Sequence, residues 1–225
     1  MNHSFALISI IISLLLGCCS QRQAKNSVGN TVESCPVEES TASVIHLRYD
    51  KPINGYTVTA DVTPNESGTD GSAELTFTKG DISFCAFVDF FVKEGFNLGD
   101  IDKNSEEVVL QYSPKPKGVM LYSKEPFCFS DVDFDGIEEI LVLDYGQGVH
   151  GVNAYRVFEP DGKLRADVPF MELDDHYEFD AAQKTIAYKY YEDPETGPFQ
   201  DIYKRQKDGS FKLIKERVQV AKSGK

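Results

Sequence analysis

A chain of 225 residues with 41% apolar and 12% aromatic content can build one domain with a substantial core, burying roughly 70% of the surface its unfolded form exposes. Its net charge of −13, from 36 Asp and Glu against 23 Lys and Arg, argues against nucleic acid and anionic lipid headgroups as ligands and favours cations or basic partners through electrostatic steering. The four histidines, His3, His46, His150 and His176, lie in no nucleophile elbow and no zinc spacing of the H-E-x-x-H kind, so the sequence offers no constellation for a hydrolytic enzyme.

The apolar run from Phe5 to Leu16 is shorter than the ~20 residues that span a bilayer as a helix, and it reads as an export signal. The signal covers residues 1–17. Its end, Leu15-Leu16-Gly17-Cys18, resembles the bacterial lipobox, in which a small residue precedes a cysteine that is lipidated and becomes the mature N-terminus. The resemblance makes Cys18 the lipid anchor to the membrane; the alternative is an ordinary secretory peptide cut nearby. Cys19 rather than Asp follows, which under the usual sorting pattern suggests the outer membrane, facing the periplasm or the surface. Residues 18–42 are small and polar, cannot bury enough surface to fold, and are expected to form a disordered, flexible tether.

Residues 43–220 read as a single β-domain. Apolar and polar side chains alternate with period two in Tyr56 to Val62, Ala73 to Phe77 and Ile186 to Tyr190, the pattern of half-buried strands. Lys79-Gly80-Asp81, Pro160-Asp161-Gly162 and Lys207-Asp208-Gly209 carry hairpin-turn chemistry, with glycine supplying the positive φ such turns require. Phe84 to Phe91 is apolar on both faces and reads as a buried strand. No segment keeps helical spacing over a stable length, so the expected fold is all-β and antiparallel, either a two-sheet sandwich or a propeller-like array. The absence of a clear internal repeat argues against a full propeller.

With Cys18 lipidated, Cys19, Cys35, Cys85 and Cys128 remain, and an oxidising compartment permits any of three pairings. Cys85 and Cys128 both sit in apolar, strand-like surroundings, which favours that disulfide over two buried free thiols.

Two loop patterns overlap between Asp131 and Gly151. Gly146-Gln-Gly148-Val-His150-Gly151 follows a strand, Ile140 to Asp144, and matches G-x-G-x-x-G. A dinucleotide site also needs a helix starting at the last glycine, but β-branched and aromatic residues follow, Val152-Asn153-Ala-Tyr155-Arg-Val-Phe158. No nucleotide is therefore expected. Upstream, Asp131, Asp133, Asp135 and Glu139 occupy positions 1, 3, 5 and 9 of a loop, with Gly136 at 6 and the Ile137 carbonyl at 7. Carboxylates crowded in this way repel one another unless a cation offsets them, and six or seven oxygens suit Ca²⁺ better than Mg²⁺. Position 12, where an EF-hand has its bidentate Glu, is Val142, so this loop opens into a strand.

The segment from Asp131 to Leu164 resembles the D-x-N-F-D-G-Y-x-D loop, Gly-rich connection and Asn/Tyr-containing strand of a family of exported bacterial calcium-binding lipoproteins. Some members are inhibitors or immunity proteins for peptidoglycan hydrolases, with a fold similar to periplasmic lysozyme inhibitors; more distantly the loop resembles the calcium loops of FG-GAP repeats. The resemblance extends loosely through Tyr177 to Val218 and back toward Ala73. It makes Asp131, Asp133 and Asp135 side-chain ligands of Ca²⁺, Ile137 a carbonyl ligand and Glu139 the closing carboxylate. Asp133 stands where the family has Asn, and Ile137 where it has Tyr.

The reading that follows is a non-catalytic, lipid-anchored calcium-binding protein of the cell envelope that blocks a basic, lysozyme-like cell-wall hydrolase. A loop is a natural plug for an enzyme cleft, and Gly146, Gly148, His150, Gly151, Asn153 and Tyr155 are the candidate contacts. The alternative is a surface lipoprotein that binds glycan or mediates adhesion, with Tyr188, Tyr190 and Tyr191 as a stacking platform.

Overall fold

A computed structural model describes residues 44–101, 105, 107–144, 152–192 and 197–220. The expected signal, tether and lipidated Cys18 lie outside them. Residues Thr41–Lys225 form one compact unit, built among the described residues from thirteen strands in three sheets. No helix among those residues is long and apolar enough to cross a membrane.

The first sheet contains β1 (Ile45–Tyr49), β2 (Thr57–Pro64), β3 (Gly71–Lys79), β4 (Ile82–Val88) and β5 (Val108–Leu110), in the order β4-β3-β2-β1-β5. β5 runs parallel to β1 and the other pairs are antiparallel. The alternation legible in the sequence decides which face is covered: Val58, Ala60 and Val62 of β2 and Ala73, Leu75 and Phe77 of β3 are at most 1% exposed. The β3–β4 turn is the Gly80-Asp81 pair, closed by Lys79 opposite Ile82 with Gly80 at φ +58°.

The middle sheet contains β6 (Phe127–Ser130), β7 (Glu139–Asp144), β8 (Ala154–Phe158) and the short β9 (Leu173–Asp174), in sequential order. The third is a meander of β10 (Tyr177–Asp180), β11 (Thr185–Tyr191), β12 (Pro198–Arg205) and β13 (Phe211–Gln219). The domain is a β-sandwich with three layers rather than two. Ile140 and Val142 of β7 join Phe127, Phe129 and Phe158 in the core shared with the first sheet. Leu141 and Leu143 point the other way, into a second core with Tyr155, Val157 and Ile186, against which Tyr177, Phe179 and Phe211 of the third sheet pack. A strand buried on both faces reads as a continuous apolar run rather than an alternation, as β7 does. Each such side chain contributes roughly 1.5–3 kcal/mol on burial.

Sequence reasoning needs correction in two places. The apolar run from Phe84 ends as a strand at Val88, and only one face of it is buried: Phe84 stacks on Phe77 and Phe158 at 5.0 and 5.5 Å, whereas Phe87 is 49% exposed. Among the described residues no further sheet covers the outer face of the first sheet. The same parity separates the two cysteines, which are free. Cys85 lies exposed on that outer face near the Thr76 hydroxyl. Cys128 faces the second core, on the far side of the middle sheet, where burial pushes its thiol up to about 12.

A second feature locks the sheets together. Glu125 is fully buried and accepts hydrogen bonds from the Tyr49 hydroxyl (3.1 Å), the Lys93 ammonium (2.5 Å) and the Ser113 N–H (2.8 Å). The Pro160-Asp161-Gly162 turn closes against β4: a Cβ on Gly162 (φ +87°) would stand 2.5 Å from the Phe84 ring, so only glycine fits there.

Candidate metal centre

The acidic loop joins β6 to β7, and Ser130 and Glu139 at its two ends face each other as strand partners. Its tight path depends on two residues with positive φ, Gly136 at +93° and Phe134 at +64°. A phenylalanine in that region costs on the order of 1–2 kcal/mol, and here the surroundings hold it: its ring is buried against Phe179 and Phe211, and its carbonyl accepts a hydrogen bond from Lys184 Nζ at 2.9 Å. The loop is thereby pinned to the third sheet by its own side chain.

Each side of that pin presents oxygen. Asp131, Asp133 and Glu139 each offer a carboxylate atom lying within 4.8 Å of the other two. Oxygens bound to one calcium at about 2.3–2.6 Å lie at most about 5 Å apart, whereas magnesium, at about 2.0–2.1 Å, would draw the three further inward. The three carboxylates could hold a divalent metal ion. Asp135 stands apart from this cluster: it is exposed, and its Oδ1 accepts the Ile137 N–H at 2.7 Å. Ile137 is 56% exposed.

Protein groups already offset part of the negative charge. The Asp135 N–H donates to both Asp131 Oδ1 and Asp133 Oδ1 at 3.0 Å, the Gly136 N–H to Asp131 Oδ2 at 3.1 Å, and the Val132 N–H to Glu139 Oε2 at 2.9 Å. Arg165, with its side chain 9% exposed, donates from Nη1 to Asp133 Oδ2 at 3.0 Å, grips Asp167 at 2.8 Å and lies 3.4 Å from Glu159. Burial works against the Arg165 charge, but its bonds to Asp167 and Asp133 outweigh it and hold the guanidinium above its ordinary value. Glu139 is less well served. Burial, opposed by the Val132 N–H and reinforced by Asp133, Glu159 and Asp135, raises its carboxyl to about 8. Glu159 is raised too, first by burial, with Arg165 opposing.

Of the five predicted ligands the structure thus gathers three, with Asp135 and Ile137 on the exposed turn between them. Sequence reasoning missed Arg165, Glu159 and Lys184, which complete the electrostatics. The hairpin after β8 delivers Arg165, whose N–H bonds the Val157 carbonyl, 32 residues beyond Asp133. No local motif announces a partner at that distance. Among the candidate plug residues, Gly146, Gly148, His150 and Gly151 lie outside the described residues. Asn153 turns its N–H and side-chain amide onto Asp175 Oδ2. Tyr155 is 3% exposed and belongs to the second core; strand parity on β8 points it inward, so it does not project from the glycine-rich loop as a plug would. β8 itself is the strand expected in place of a nucleotide-binding helix.

No protein-family model and no curated protein matches the chain. Among solved structures, that of a Xanthomonas type IV secretion system related protein aligns at 15% identity over 79% of this chain and 95% of that chain, with a TM-score of 0.30, too low to carry an argument.

Proposed function

We propose that the protein is a non-catalytic calcium-binding lipoprotein of the cell envelope, anchored through Cys18 in the outer membrane, that inhibits or gives immunity to a basic, lysozyme-like peptidoglycan hydrolase. The observation that carries the calcium part is the convergence of Asp131, Asp133 and Glu139 within 4.8 Å, with the buried Glu139 served by a single backbone donor. The inhibitor part is supported by the net charge of −13, which speeds encounter with a basic enzyme, and by the family resemblance of the loop.

The glycan-binding alternative has less support. Tyr188 and Tyr190 share one face of β11, but their rings stack on each other at 5.7 Å and 21°, and Tyr177 packs on Tyr188 at 4.7 Å. Tyr191, 68% exposed, lies on the opposite face of β11 from Tyr188 and Tyr190, so the three rings do not form one platform.

The test is a turbidity assay in which the mature protein is added to a basic lysozyme acting on peptidoglycan, with calcium or with chelator. Inhibition that weakens on chelation is the expected result. Undiminished lysis at a large excess of the protein would remove the inhibitor reading, and glycan-array binding alongside it would install the alternative.

A further inference from the structure

Apart from the acidic loop, the surface feature with the most chemistry is a cleft of about 460 Å³. Ala154 and Tyr155 of β8 and the fully buried Phe170 line its inner wall. Its rim is aliphatic and exposed: Leu164 at 49% and Met171 at 56%, with Val168 on the same segment at 51%. Single exposed aliphatics are ordinary on a protein surface, but Leu164 and Met171 on the rim of one concavity, with Val168 exposed on the segment between them, form an apolar patch that a partner could cover.

The charges in the cleft have a sign. Arg156 Nε lies 3.2 Å from Asp144, and Asp174, which accepts the His176 N–H at 2.8 Å and lies 3.3 Å from its Nδ1, also lines the cleft. Arg165 also lines the cleft, but its charge is offset by Asp133, Asp167 and Glu159. Two carboxylates against Arg156 leave the cleft negative, on a chain that is itself at −13. The wall formed by Arg165 and Phe170 is held in place before any partner arrives, because the Arg165 guanidinium lies 3.9 Å over the Phe170 ring while bonded to Asp133 and Asp167. Such preorganisation lowers the ordering cost of association.

We propose that this cleft is a docking site for a partner protein that inserts a cationic side chain flanked by an aliphatic one. The cation would meet Asp144 and Asp174, and its aliphatic neighbour would cover Leu164 and Met171. The inference rests on the envelope-inhibitor reading only for the partner's identity as a basic hydrolase. The cleft chemistry stands without it.

Two measurements on the mature protein separate the two claims. In the first, calorimetry follows binding of a basic lysozyme to the wild type, to Met171→Lys and to Phe87→Lys, which makes the same charge change on the outer face of the first sheet. Met171→Lys is expected to weaken binding by roughly tenfold or more, and Phe87→Lys by less than about twofold. In the second, amide shifts are followed by NMR as a Leu-Lys-Leu or a Leu-Glu-Leu tripeptide is added. The lysine peptide is expected to move the signals of Ala154, Met171 and Asp174, and the glutamate peptide to leave them in place. Lysozyme binding that is equal in wild type and Met171→Lys, with no tripeptide shifts, overturns the cleft and leaves the inhibitor reading standing. Tripeptide shifts without lysozyme binding uphold the cleft and overturn the hydrolase. The absence of both overturns both.

Discussion

Glu125 and Glu139 are both buried glutamates, 0% and 1% exposed, yet their surroundings differ. Glu125 is met by an ammonium, a phenol and a backbone N–H, so its charge is matched inside the protein. Glu139 accepts one backbone N–H and has Asp133, Asp135 and Glu159 near it, and its carboxyl is raised to about 8. A buried carboxylate that brings its own cation is part of the framework; one placed among other acids leaves a deficit of positive charge at a defined point. The comparison separates a structural ion pair from a candidate ligand where composition, rich in acid throughout, cannot.

The strongest way to break the comparison is to remove the matched cation. Lys93→Met strands the Glu125 charge in the core and is expected to cost about 3–5 kcal/mol, read as a lowered urea midpoint, with the same loss in calcium and in chelator. If the loss depended on calcium, the two glutamates would not be independent. Arg165→Gln should behave in the opposite way. It removes the nearer of two inbuilt counter-charges of Asp133, leaving Arg205 Nη2 at 3.8 Å, and is expected to cost about 2–4 kcal/mol in chelator but clearly less with calcium, whose charge takes over; an equal cost in both conditions would show that no cation enters the loop.

A smaller effect is expected from calcium itself. At a hundredfold excess over its dissociation constant it would add about 2.7 kcal/mol, or several degrees of melting temperature for a domain of this size. The double substitution Asp133→Ala, Asp135→Ala should abolish that response. Melting curves that coincide with and without chelator would remove calcium from the site. The subtlest signature is in the pH dependence. Folded Glu139 keeps its proton up to about 8, while the unfolded chain releases it near 4.5. Between those values the folded state binds more protons, so stability in chelator should fall as pH rises from 4.5 to 8. Glu139→Gln should flatten that slope, and saturating calcium should flatten it in the wild type.

Local pattern made much of this legible. Alternation gave β2, β3 and β11 their inward faces, and the spacing of Asp131, Asp133, Asp135 and Glu139 pointed to a carboxylate cluster, of which Asp131, Asp133 and Glu139 come together across the eight residues between β6 and β7 and Asp135 does not. What could not be read depends on layers distant in the chain. Ile140 to Leu143 look like any apolar strand until a third sheet covers Leu141 and Leu143. Cys85 and Cys128 have similar neighbours in sequence but face opposite sides of the sandwich. Tyr155 sits in a segment with loop-like glycines before it, yet β8 turns it inward. The cations around the loop come from the hairpin after β8, the β10–β11 turn and the end of β12, through contacts that no spacing rule encodes.

Because Glu139 is both the last residue of the acidic loop and the first of β7, a charge settling there would act on the middle sheet, whose strands β6, β7 and β8 all face both cores. β7 is paired on both edges and buried from Glu139 to Leu143, so the slowest-exchanging amides are expected in Ile140 to Leu143, and their opening should accompany global unfolding.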